Sequence, residues 1–328
     1  MHLKARDIRL CCMIAVAALV LGTSASWAAD KVTFVTDFGF NGRHAYYFVA
    51  KEKGFYAKHN LDVDIVRGKG SADAVKQVAA GTAQIGFADA AAVILARGND
   101  QVPVKLVAMI YAKAPHAIYV LADSNIDKPK DLEGKKIADT AFSAVPKLFN
   151  AYAKAAHIDA SKVTWVVASG DALPGLLSTG RVDGIGQYMV GEPLLAKAAA
   201  PKKVRALSYA DAGLNIYSNG IIASESTIKS HPDMVRNFVA ATLEGLKYAV
   251  AHPEEAGEII HKYHRVVAAD IGAGETKIVG TLISQPGEPL GHLDPKRVQT
   301  TVDVVADAFK MKHAVKAADV FAAGFVSK

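Results

Sequence analysis

The sequence predicts an α/β fold of two lobes, with mostly parallel sheets, helices on both faces of each sheet and a helical C-terminal tail. After residue 30, short apolar runs alternate with segments of helical periodicity, a pattern typical of parallel sheets. The stretch AVKQVAAGTAQIGFAD at 74–89 predicts a helix, a glycine and a strand, and LPGLLSTGRVDGIGQY at 173–188 repeats that order. From residue 225 onwards, strand-like runs stop and helical periodicity takes over.

Nine segments are predicted as strands because each is a short apolar run bounded by polar or turn-forming residues. Their ranges are 32–37, 61–66, 84–88, 105–111, 116–122, 136–139, 163–167, 184–188 and 204–207. Helical periodicity is found at 44–58, 72–80, 144–157 and 171–179, and in the tail at 234–251, 253–263 and 296–309. Ser224 and Pro232 favour helix starts, whereas Gly81 and Gly180 favour left-handed helix ends.

The repeated unit indicates two lobes of related build. Two crossovers, near residues 122 and 222, would form the hinge between them. We expect 29–122 to form the first part of lobe 1, 123–222 to form lobe 2, and 223–328 to return to lobe 1 and supply the C-terminal helices. A two-lobe chain of this size usually binds its ligand between the lobes.

Residues 1–28 have the composition of a secretory signal peptide. Three basic residues precede an apolar run at 10–22 that is too short to span a bilayer comfortably. Small residues at positions 26 and 28 favour cleavage before Ala29. An uncleaved anchor helix is the alternative, which the shortness of the run disfavours. We therefore expect the chain to be exported.

Both cysteines, Cys11 and Cys12, lie in this segment, so the exported chain would contain none. Zinc–thiolate sites, catalytic thiols and iron–sulfur clusters would then be excluded. The formal net charge of +6 would fall to +4, because the segment carries three basic residues and one acidic residue. No dense basic run is interleaved with aromatic residues, so the sequence gives no support for nucleic-acid binding.

The first group of candidate ligand contacts follows the first predicted strand. Asp37 ends that strand, and Asn41, His44 and Tyr47 lie at the start of the next helix. Ligands in open α/β sheets bind at the carboxyl ends of strands, which makes these side chains candidates. Asp37 could instead hold its own turn, Asn41 could cap the helix, and His44 could face solvent. Tyr47, nearly one turn beyond His44, is a better cleft candidate than Tyr46.

The turn GKGS at 68–71 and the end of the third strand extend this group. Ser71 and the amides of the turn resemble an anion-binding helix N-terminus, with Ser71 as a simple N-cap the alternative. The turn lacks the full pattern of a nucleotide-binding P-loop. Asp89 ends the third strand, at the edge of the sheet where Asp37 is expected.

The second lobe offers Ser143, Asp171, Tyr188 and Glu192 as corresponding candidates, and Asn219 lies in the predicted return crossover. Tyr188 could stack on a flat ring. Glu192 could equally be a surface residue that matches a helix dipole, and Asn219 with the following glycine could be a simple turn.

The charges of these candidates favour one class of ligand. Four of them are carboxylates, and Lys69 is the one clear cation nearby. Uncompensated carboxylates disfavour an anion such as a sulfonate or nitrate. They favour an amino-substituted heteroaromatic ring, whose amines donate to carboxylates while Tyr188 stacks on the ring. The candidates include no nucleophile–base pair, so we expect a binding site without catalytic residues.

Seven short motifs in this order resemble the periplasmic solute-binding proteins of ABC importers, in the NMT1/THI5-like group that includes thiamine-precursor, alkanesulfonate and nitrate binding proteins. They are N-x-x-H at 41–44, VAKEKGFY at 49–56, LDVDIV at 61–66, G-x-G-S at 68–71, AAGTAQIGFAD at 79–89, KPKDLEGKKIA at 128–138 and GRVDGI at 180–185. The resemblance spans residues 31–265. It implies the two-lobe periplasmic-binding-protein fold of type II.

The resemblance also implies a function. It predicts a periplasmic monomer, without cofactor or metal, that captures a small-molecule solute such as a thiamine-pyrimidine precursor by lobe closure. An ABC permease and ATPase complex at the inner membrane would be its partner. In the thiamine-precursor branch, the residues that match Asn41 and His44 line the cleft.

Other functions remain as alternatives. An alkanesulfonate, taurine or nitrate could occupy the same fold, and a binding lobe could serve a membrane sensor instead of an importer. The pyrimidine-precursor synthases share the fold, but their histidine after the strand that here ends in GFAD, and their cysteine-rich run near the second crossover, are absent. His261 and His264 could clamp a metal, although no carboxylate or thiol of matching register is near in the sequence.

Overall fold

The computed structural model describes residues 29–141, 143–283 and 287–326. The predicted signal peptide at 1–28 lies outside the described residues. Within the described ranges, none of the helices combines the length and apolarity that crossing a bilayer requires.

Ten strands of the described chain form two sheets of five. They are β1 (Asp30–Val35), β2 (Leu61–Val66), β3 (Ile85–Asp89), β4 (Val104–Met109), β5 (His116–Leu121), β6 (Lys136–Asp139), β7 (Thr164–Val167), β8 (Gly184–Tyr188), β9 (Val204–Ser208) and β10 (Asn219–Ser224). The first sheet has the order β2-β1-β3-β10-β4 and the second β7-β6-β8-β5-β9. In each sheet four strands are parallel to one another and one is antiparallel to them. The antiparallel strand is β10 in the first sheet and β5 in the second.

The helices lie between and after these strands. They are α1 (Ala45–Glu52), α2 (Phe55–Lys58), α3 (Ser71–Ala79), α4 (Ala90–Asp100), α5 (Ala144–Ala155), α6 (Leu173–Ser178), α7 (Glu192–Ala199), α8 (Glu225–Ser230), α9 (Pro232–Ala251), α10 (Pro253–Tyr263), α11 (Ala269–Leu282), α12 (Pro295–Ala308) and α13 (Ala317–Val320). Short 3-10 turns are formed by Gly42–His44, Pro129–Leu132, Ala160–Lys162, Gly170–Ala172 and Met189–Gly191. The predicted two-lobe α/β fold is confirmed.

Most predicted elements are present. All nine predicted strands form, with ends within two residues of the prediction. The predicted helix at 44–58 is interrupted at Gly54, whose φ of 73° ends α1 and begins α2. Gly81 and Gly180 have φ of 74° and 68°, as left-handed helix ends require. The Ser224 hydroxyl accepts from the Thr227 N–H at 3.1 Å and so caps α8.

One strand and three helices were missed. Asn219 and Gly220 were interpreted as a possible turn, but they open β10, which pairs with both β3 and β4. No helix was predicted at the positions of α4, α11 and α13. The chain leaves the first sheet after β4 and returns to it with β10, so sheet membership changes earlier than the predicted lobe boundaries at 122 and 222.

Each sheet has an apolar core on both faces, because side chains alternate along a strand. Neighbouring residues Phe34 and Val35 of β1 lie in different clusters, the first with α1 and α9 and the second with α3, α4 and α12. In the second sheet, Ile118 packs in the cluster of α5 and Tyr119 in that of α6 and α7. This arrangement buries both faces and leaves strand ends and connecting loops to form the site.

The C-terminal tail packs on lobe 1 and also reaches lobe 2. Ala322 donates its N–H to the Leu106 carbonyl at 2.8 Å, and this contact covers the edge of β4. Helix α12 contacts α4 in lobe 1 and α5 in lobe 2. Helix α11 contacts the Met189–Gly191 turn and α7, both in lobe 2.

Helix α12 also holds the two crossovers between the sheets. Arg297 donates to the carbonyl of Ala112 in the first crossover. Its guanidinium lies 4.1 Å from the ring centroid of Tyr217 in the second crossover. The Thr301 hydroxyl accepts from the Tyr217 N–H at 3.0 Å, and the Asp294 N–H donates to the Tyr217 hydroxyl at 2.8 Å. These contacts join both crossovers to one helix.

Candidate functional site

A buried polar cluster lies where the two sheets face each other. Asp37 follows β1, Asp89 ends β3 and Asn219 begins β10, all in lobe 1. Tyr188 ends β8 and His116 begins β5, both in the second sheet. These positions lie at strand ends where one sheet faces the other, so both lobes contribute residues to the cluster.

Asp37 is the centre of the lobe 1 part. Its Oδ1 accepts from His44 Nε2 at 2.8 Å, and its Oδ2 accepts from Asn219 Nδ2 at 2.8 Å. The Arg43 guanidinium lies 3.2 Å from Oδ1 and 3.1 Å from Oδ2. Burial alone would raise the pKa of Asp37, but Arg43, His44 and Asn219 together hold it below its ordinary value. Both carboxylate oxygens are therefore already satisfied by the protein.

Arg43 is a buried cation that the sequence analysis missed. It is 8% exposed, and its backbone N–H donates to Glu275 Oε2 of α11 at 3.2 Å. Its guanidinium carbon lies 5.6 Å from the ring centroid of Tyr188, so it spans the two lobes. Its position inside the N-x-x-H motif was the available signal. Lys69, the cation that the sequence favoured, is exposed.

Asp89 has structural partners of its own. Its Oδ1 accepts from the Ala91 N–H at 2.8 Å and caps α4. Its Oδ2 accepts from the Ser218 hydroxyl at 2.6 Å and lies 3.5 Å from the Tyr188 hydroxyl. His116 Nε2 lies 3.7 Å from the same oxygen. Asp89 thus contacts groups of the second sheet across the interface.

The two histidines of the cluster are fully buried. Burial lowers the pKa of both His44 and His116, although the neighbouring carboxylates Asp37 and Asp89 oppose this shift. Both rings are therefore neutral near pH 7. Because His44 donates from Nε2, its Nδ1 is an acceptor, and it makes no hydrogen bond within the described residues. Neither ring nitrogen of His116 makes one there.

The remaining lobe 1 candidates divide between core and site. Tyr47 is buried in the core, with its ring 4.3 Å from that of Phe34, so it does not face the cleft as predicted. Asn41 stands at the N-cap position of the 3-10 turn, but its side chain makes no capping bond. Its Oδ1 is buried and makes no hydrogen bond to any described residue.

The glycine turn binds its own protein groups. Gly70 occupies the N-cap of α3, and Ser71 follows it as the first helical residue. The Ser71 hydroxyl accepts from the Asp89 N–H at 3.1 Å. The Lys69 N–H donates to Asp73 Oδ2 at 3.0 Å, so a carboxylate of the protein already takes this amide. The N-cap alternative for Ser71 is wrong, and the proposed anion cradle is partly filled.

Three lobe 2 candidates make none of the contacts described above for this cluster. The Ser143 hydroxyl accepts from the Val145 N–H at 3.2 Å and caps α5. Glu192 Oε2 accepts from the Tyr119 hydroxyl at 2.9 Å. Asp171 is exposed in the 3-10 turn before α6. Tyr188 is thus the lobe 2 candidate that the structure brings together with Asp37, Asp89 and Asn219.

Several buried polar atoms around this interface have no hydrogen-bond partner among the described residues. They are Asn41 Oδ1, Arg43 Nε, His44 Nδ1, Tyr111 Oη and both ring nitrogens of His116. A buried polar group without a partner costs about 1–3 kcal/mol. The set contains both donors and acceptors, so a bound molecule with groups of both kinds would recover part of this cost.

His261 and His264, considered as a possible metal clamp, make other contacts within the protein. His261 Nδ1 donates to the Val267 carbonyl at 2.7 Å. The His264 ring stacks on Phe40 with centroids 4.0 Å apart. No group of three or more potential metal ligands occurs among the residues that the structure describes.

Residues 41–256 match the family model described as NMT1/THI5 like, and the chain belongs to this family. The formylaminopyrimidine-binding protein of Halalkalibacterium halodurans is 26% identical over 71% of this chain and 70% of that protein. The 4-amino-5-hydroxymethyl-2-methylpyrimidine phosphate synthase of Legionella pneumophila is 23% identical over 70% of this chain and 73% of the synthase.

The fold is shared with solved periplasmic proteins. The alkanesulfonate-binding protein SsuA from Xanthomonas axonopodis pv. citri, bound to MOPS, superposes with a TM-score of 0.70. The match covers 90% of this chain and 98% of SsuA at 13% identity. At this identity the likeness defines the two-lobe architecture alone.

Proposed function

We propose that the protein is the periplasmic substrate-binding component of an ABC importer. It captures a small heteroaromatic solute that carries amino groups, such as a thiamine-pyrimidine precursor, and delivers it to a permease and ATPase complex as a monomer. The observation that carries the proposal is the buried interlobe cluster, in which Tyr188 of lobe 2 faces Arg43 and Asp89 of lobe 1.

Ligand contacts with both lobes in the closed state supply the binding energy. Tyr188 and His116 belong to the second sheet, whereas Asp37, Arg43 and Asp89 belong to lobe 1. A ligand can contact both groups at once only when the lobes are closed. Such a ligand favours the closed state by the difference between its affinities for the two states.

The chemistry of the cluster favours a ring with both donors and acceptors. The carboxylates are less available to ligand amines than the sequence indicated, because Arg43 pairs with Asp37 and Asp89 already accepts from Ser218. The Tyr188 ring, which the Arg43 guanidinium approaches at 5.6 Å, and the unpartnered atoms of Asn41 and His116 are the groups left for a ligand. A substituted pyrimidine offers a flat face together with N–H donors and ring-nitrogen acceptors.

One observation favours a sulfonate as the second candidate. Arg43 is a buried cation whose Nε has no partner among the described residues, and an anionic oxygen could accept from it. The fold of SsuA is compatible with this alternative.

We place binding ahead of catalysis because the cluster lacks the parts of a reaction centre. The described cluster pairs carboxylates with Arg43, a neutral histidine and an amide, and no hydroxyl or amine nucleophile in it is hydrogen-bonded to a histidine base. The positions where the synthases carry a histidine and a cysteine-rich run read AAAVILA and YSNGII in this chain.

A thermal-shift screen of the purified protein tests the proposal. The compounds would be 4-amino-5-hydroxymethyl-2-methylpyrimidine, its formylamino derivative, riboflavin, taurine, ethanesulfonate and nitrate. A ligand at 100 times its Kd stabilises the folded state by about 2.7 kcal/mol. A rise in Tm with a pyrimidine supports the proposal, a rise with ethanesulfonate alone supports the sulfonate candidate, and no rise with any compound contradicts both.

A further inference from the structure

We propose that Asp139, Thr140 and Trp165 form the lobe 2 wall of the ligand site, where Asp139 binds the nitrogen edge of a flat heterocycle. The inference rests on the proposed function and extends it to residues that the sequence analysis did not select. Unlike Asp37 and Asp89, Asp139 has a carboxylate oxygen without a hydrogen-bond partner among the described residues.

Asp139 lies on the same sheet edge as Tyr188. It is the last residue of β6, which runs parallel to its neighbour β8. Their register pairs Ala138 with Ile185, so Asp139 stands beside Gly186, two residues before Tyr188. The strand order then continues to β5, which begins with His116. A molecule that contacts Tyr188 can therefore reach Asp139 along this edge.

The carboxylate of Asp139 is buried and only half satisfied. Asp139 is 5% exposed, and its Oδ1 accepts from the Thr140 N–H at 2.6 Å. Its Oδ2 is buried and makes no hydrogen bond to any residue that the structure describes. A Cβ at Gly186 would lie 2.0 Å from this oxygen, so any larger residue there would displace it. The fold thus holds a buried carboxylate with one oxygen free.

A cavity of about 340 Å³ adjoins this residue. Asp139, Thr140, Pro146, Lys147, Trp165 and Val167 line it. The volume lies within the range of small-molecule sites, and the indole of Trp165 offers a face on which a flat ring can stack. Val167 is 71% exposed, so the cavity opens to solvent at this end.

The chemistry of Asp139 selects nitrogen heterocycles. Burial raises the pKa of Asp139 to about 7, although the Ser143 hydroxyl and the Thr140 N–H oppose this shift. Near neutral pH the carboxyl group is therefore present in both forms, and its protonated form both donates and accepts. An aminopyrimidine presents an N–H donor beside a ring-nitrogen acceptor, which matches a carboxyl group in two hydrogen bonds. A sulfonate would meet repulsion from the ionised form.

Trp165 provides a local signal for the test. The sequence has two tryptophans, Trp27 in the predicted signal peptide and Trp165, so Trp165 would be the single tryptophan of the exported chain. Protein purified from the periplasm would be titrated with 4-amino-5-hydroxymethyl-2-methylpyrimidine, its formylamino derivative, riboflavin and ethanesulfonate. Calorimetry detects binding anywhere on the protein, and Trp165 fluorescence detects binding at this wall.

Asp139→Leu and the isosteric Asp139→Asn test the carboxyl group. Asp123→Leu and Asp123→Asn are the matched controls, because Asp123 is an exposed lobe 2 residue after the end of the antiparallel strand β5. We expect titration with a heterocycle to produce both binding heat and a change in Trp165 fluorescence. Asp139→Leu should weaken binding on the order of tenfold to a hundredfold and Asp139→Asn less, with both controls unchanged.

The other outcomes overturn the inference in distinguishable ways. Binding heat without a change in Trp165 fluorescence, together with wild-type affinity in folded Asp139→Leu, would show that these residues do not form the wall of the ligand site. The proposed function would then remain intact. Binding of ethanesulfonate alone overturns both the wall and the heteroaromatic ligand class. Absence of binding heat with all four compounds overturns the wall together with the proposed function.

Discussion

Two aspartates hold equivalent places in the two sheets, yet their surroundings differ. The first sheet has the order β2-β1-β3-β10-β4 and the second β7-β6-β8-β5-β9, so β1 corresponds in position to β6. Asp37 follows β1 and accepts hydrogen bonds from three side chains, which keep its pKa low. Asp139 ends β6, accepts from the Thr140 N–H, and has its pKa raised to about 7 by burial, which the Ser143 hydroxyl and the Thr140 N–H only partly oppose.

The difference shows that shared topology does not fix the role of a strand-end carboxylate. In lobe 1 the following 3-10 turn supplies Arg43 and His44, which satisfy Asp37 from within the protein. In lobe 2 the following residues supply Thr140 and the Ser143 cap, which leave one oxygen of Asp139 free. The lobe 1 aspartate is thus satisfied within the protein, whereas the lobe 2 aspartate is the one that we propose for ligand binding.

The largest expected effect comes from removing the satisfied aspartate. Asp37→Ala leaves Arg43 as a buried cation without its ion-pair partner, which should lower the free energy of unfolding by about 3–5 kcal/mol. If Asp37 served the ligand alone, its loss would weaken binding and leave stability unchanged. Urea denaturation of Asp37→Ala beside the exposed control Asp123→Ala decides between the two, and equal stability would show that Arg43 finds another partner.

The pH dependence of stability should have opposite signs at the two aspartates. Asp139 keeps its proton in the folded state up to about pH 7, whereas the unfolded chain releases it near the ordinary value of 3.8. Stability attributable to Asp139 therefore falls as the pH rises through this window. For Asp37, whose folded pKa is lowered, the contribution is present above the ordinary value and is lost on acidification.

Denaturation of Asp139→Asn at several pH values measures this effect. As the pH rises from about 5 to about 8, the free energy of unfolding of the variant should increase by on the order of 1–3 kcal/mol relative to that of wild type. Burial also raises the pKa of Glu275 to about 7, so Glu275→Gln should show a slope change of the same sign. A parallel pH profile for Asp139→Asn and wild type would mean that Asp139 is ionised throughout.

A third prediction concerns the helix that joins the two lobes. Arg297→Met removes the contacts to Ala112 and the Tyr217 ring, and should lower the free energy of unfolding by about 1–3 kcal/mol. Hydrogen exchange should increase in the crossovers at 110–115 and 209–218. The exposed control Arg236→Met should change stability by less than about 0.5 kcal/mol. Unchanged exchange in both crossovers would show that other contacts hold the hinge.

The smallest effect on stability is expected at Tyr188. Its hydroxyl lies 3.5 Å from Asp89 Oδ2, at the limit of a hydrogen bond, so Tyr188→Phe should change stability by less than about 0.5 kcal/mol. Tyr188→Ala, which removes the ring, should weaken ligand binding by about 1–3 kcal/mol. Calorimetry with the compound found by thermal shift compares the two variants, and equal affinities would remove the ring from the site.

The sequence predicts the fold better than it predicts the site, because strands and helices depend on local patterns. Nine strands were found from apolar runs, and the tenth was missed because Asn219-Gly220 is also a common turn pair. Asp37, Asp89, Tyr188 and Asn219 were selected as candidates because strand ends converge on one edge. The structure brings those four together.

The missed and misplaced residues depend on distant contacts. Arg43 contacts Glu275 of α11, which is distant in the chain, as well as the nearby Asp37. The burial of Asp139 requires the absence of a side chain at Gly186 on a neighbouring strand. Tyr47 was assigned to the cleft by helix spacing, but its orientation is set by packing against Phe34. Composition and periodicity contain no information on such pairings.

The place of β10 in the first sheet sets the order in which the chain can complete its lobes. β10 is the strand that joins β3 to β4, and it follows all five strands of the second sheet in the chain. The second sheet is built from the continuous segment β5–β9, so lobe 2 can assemble while the first sheet is still in two parts. Because the chain emerges N-terminus first, the first sheet can be completed only after all five strands of lobe 2 have emerged.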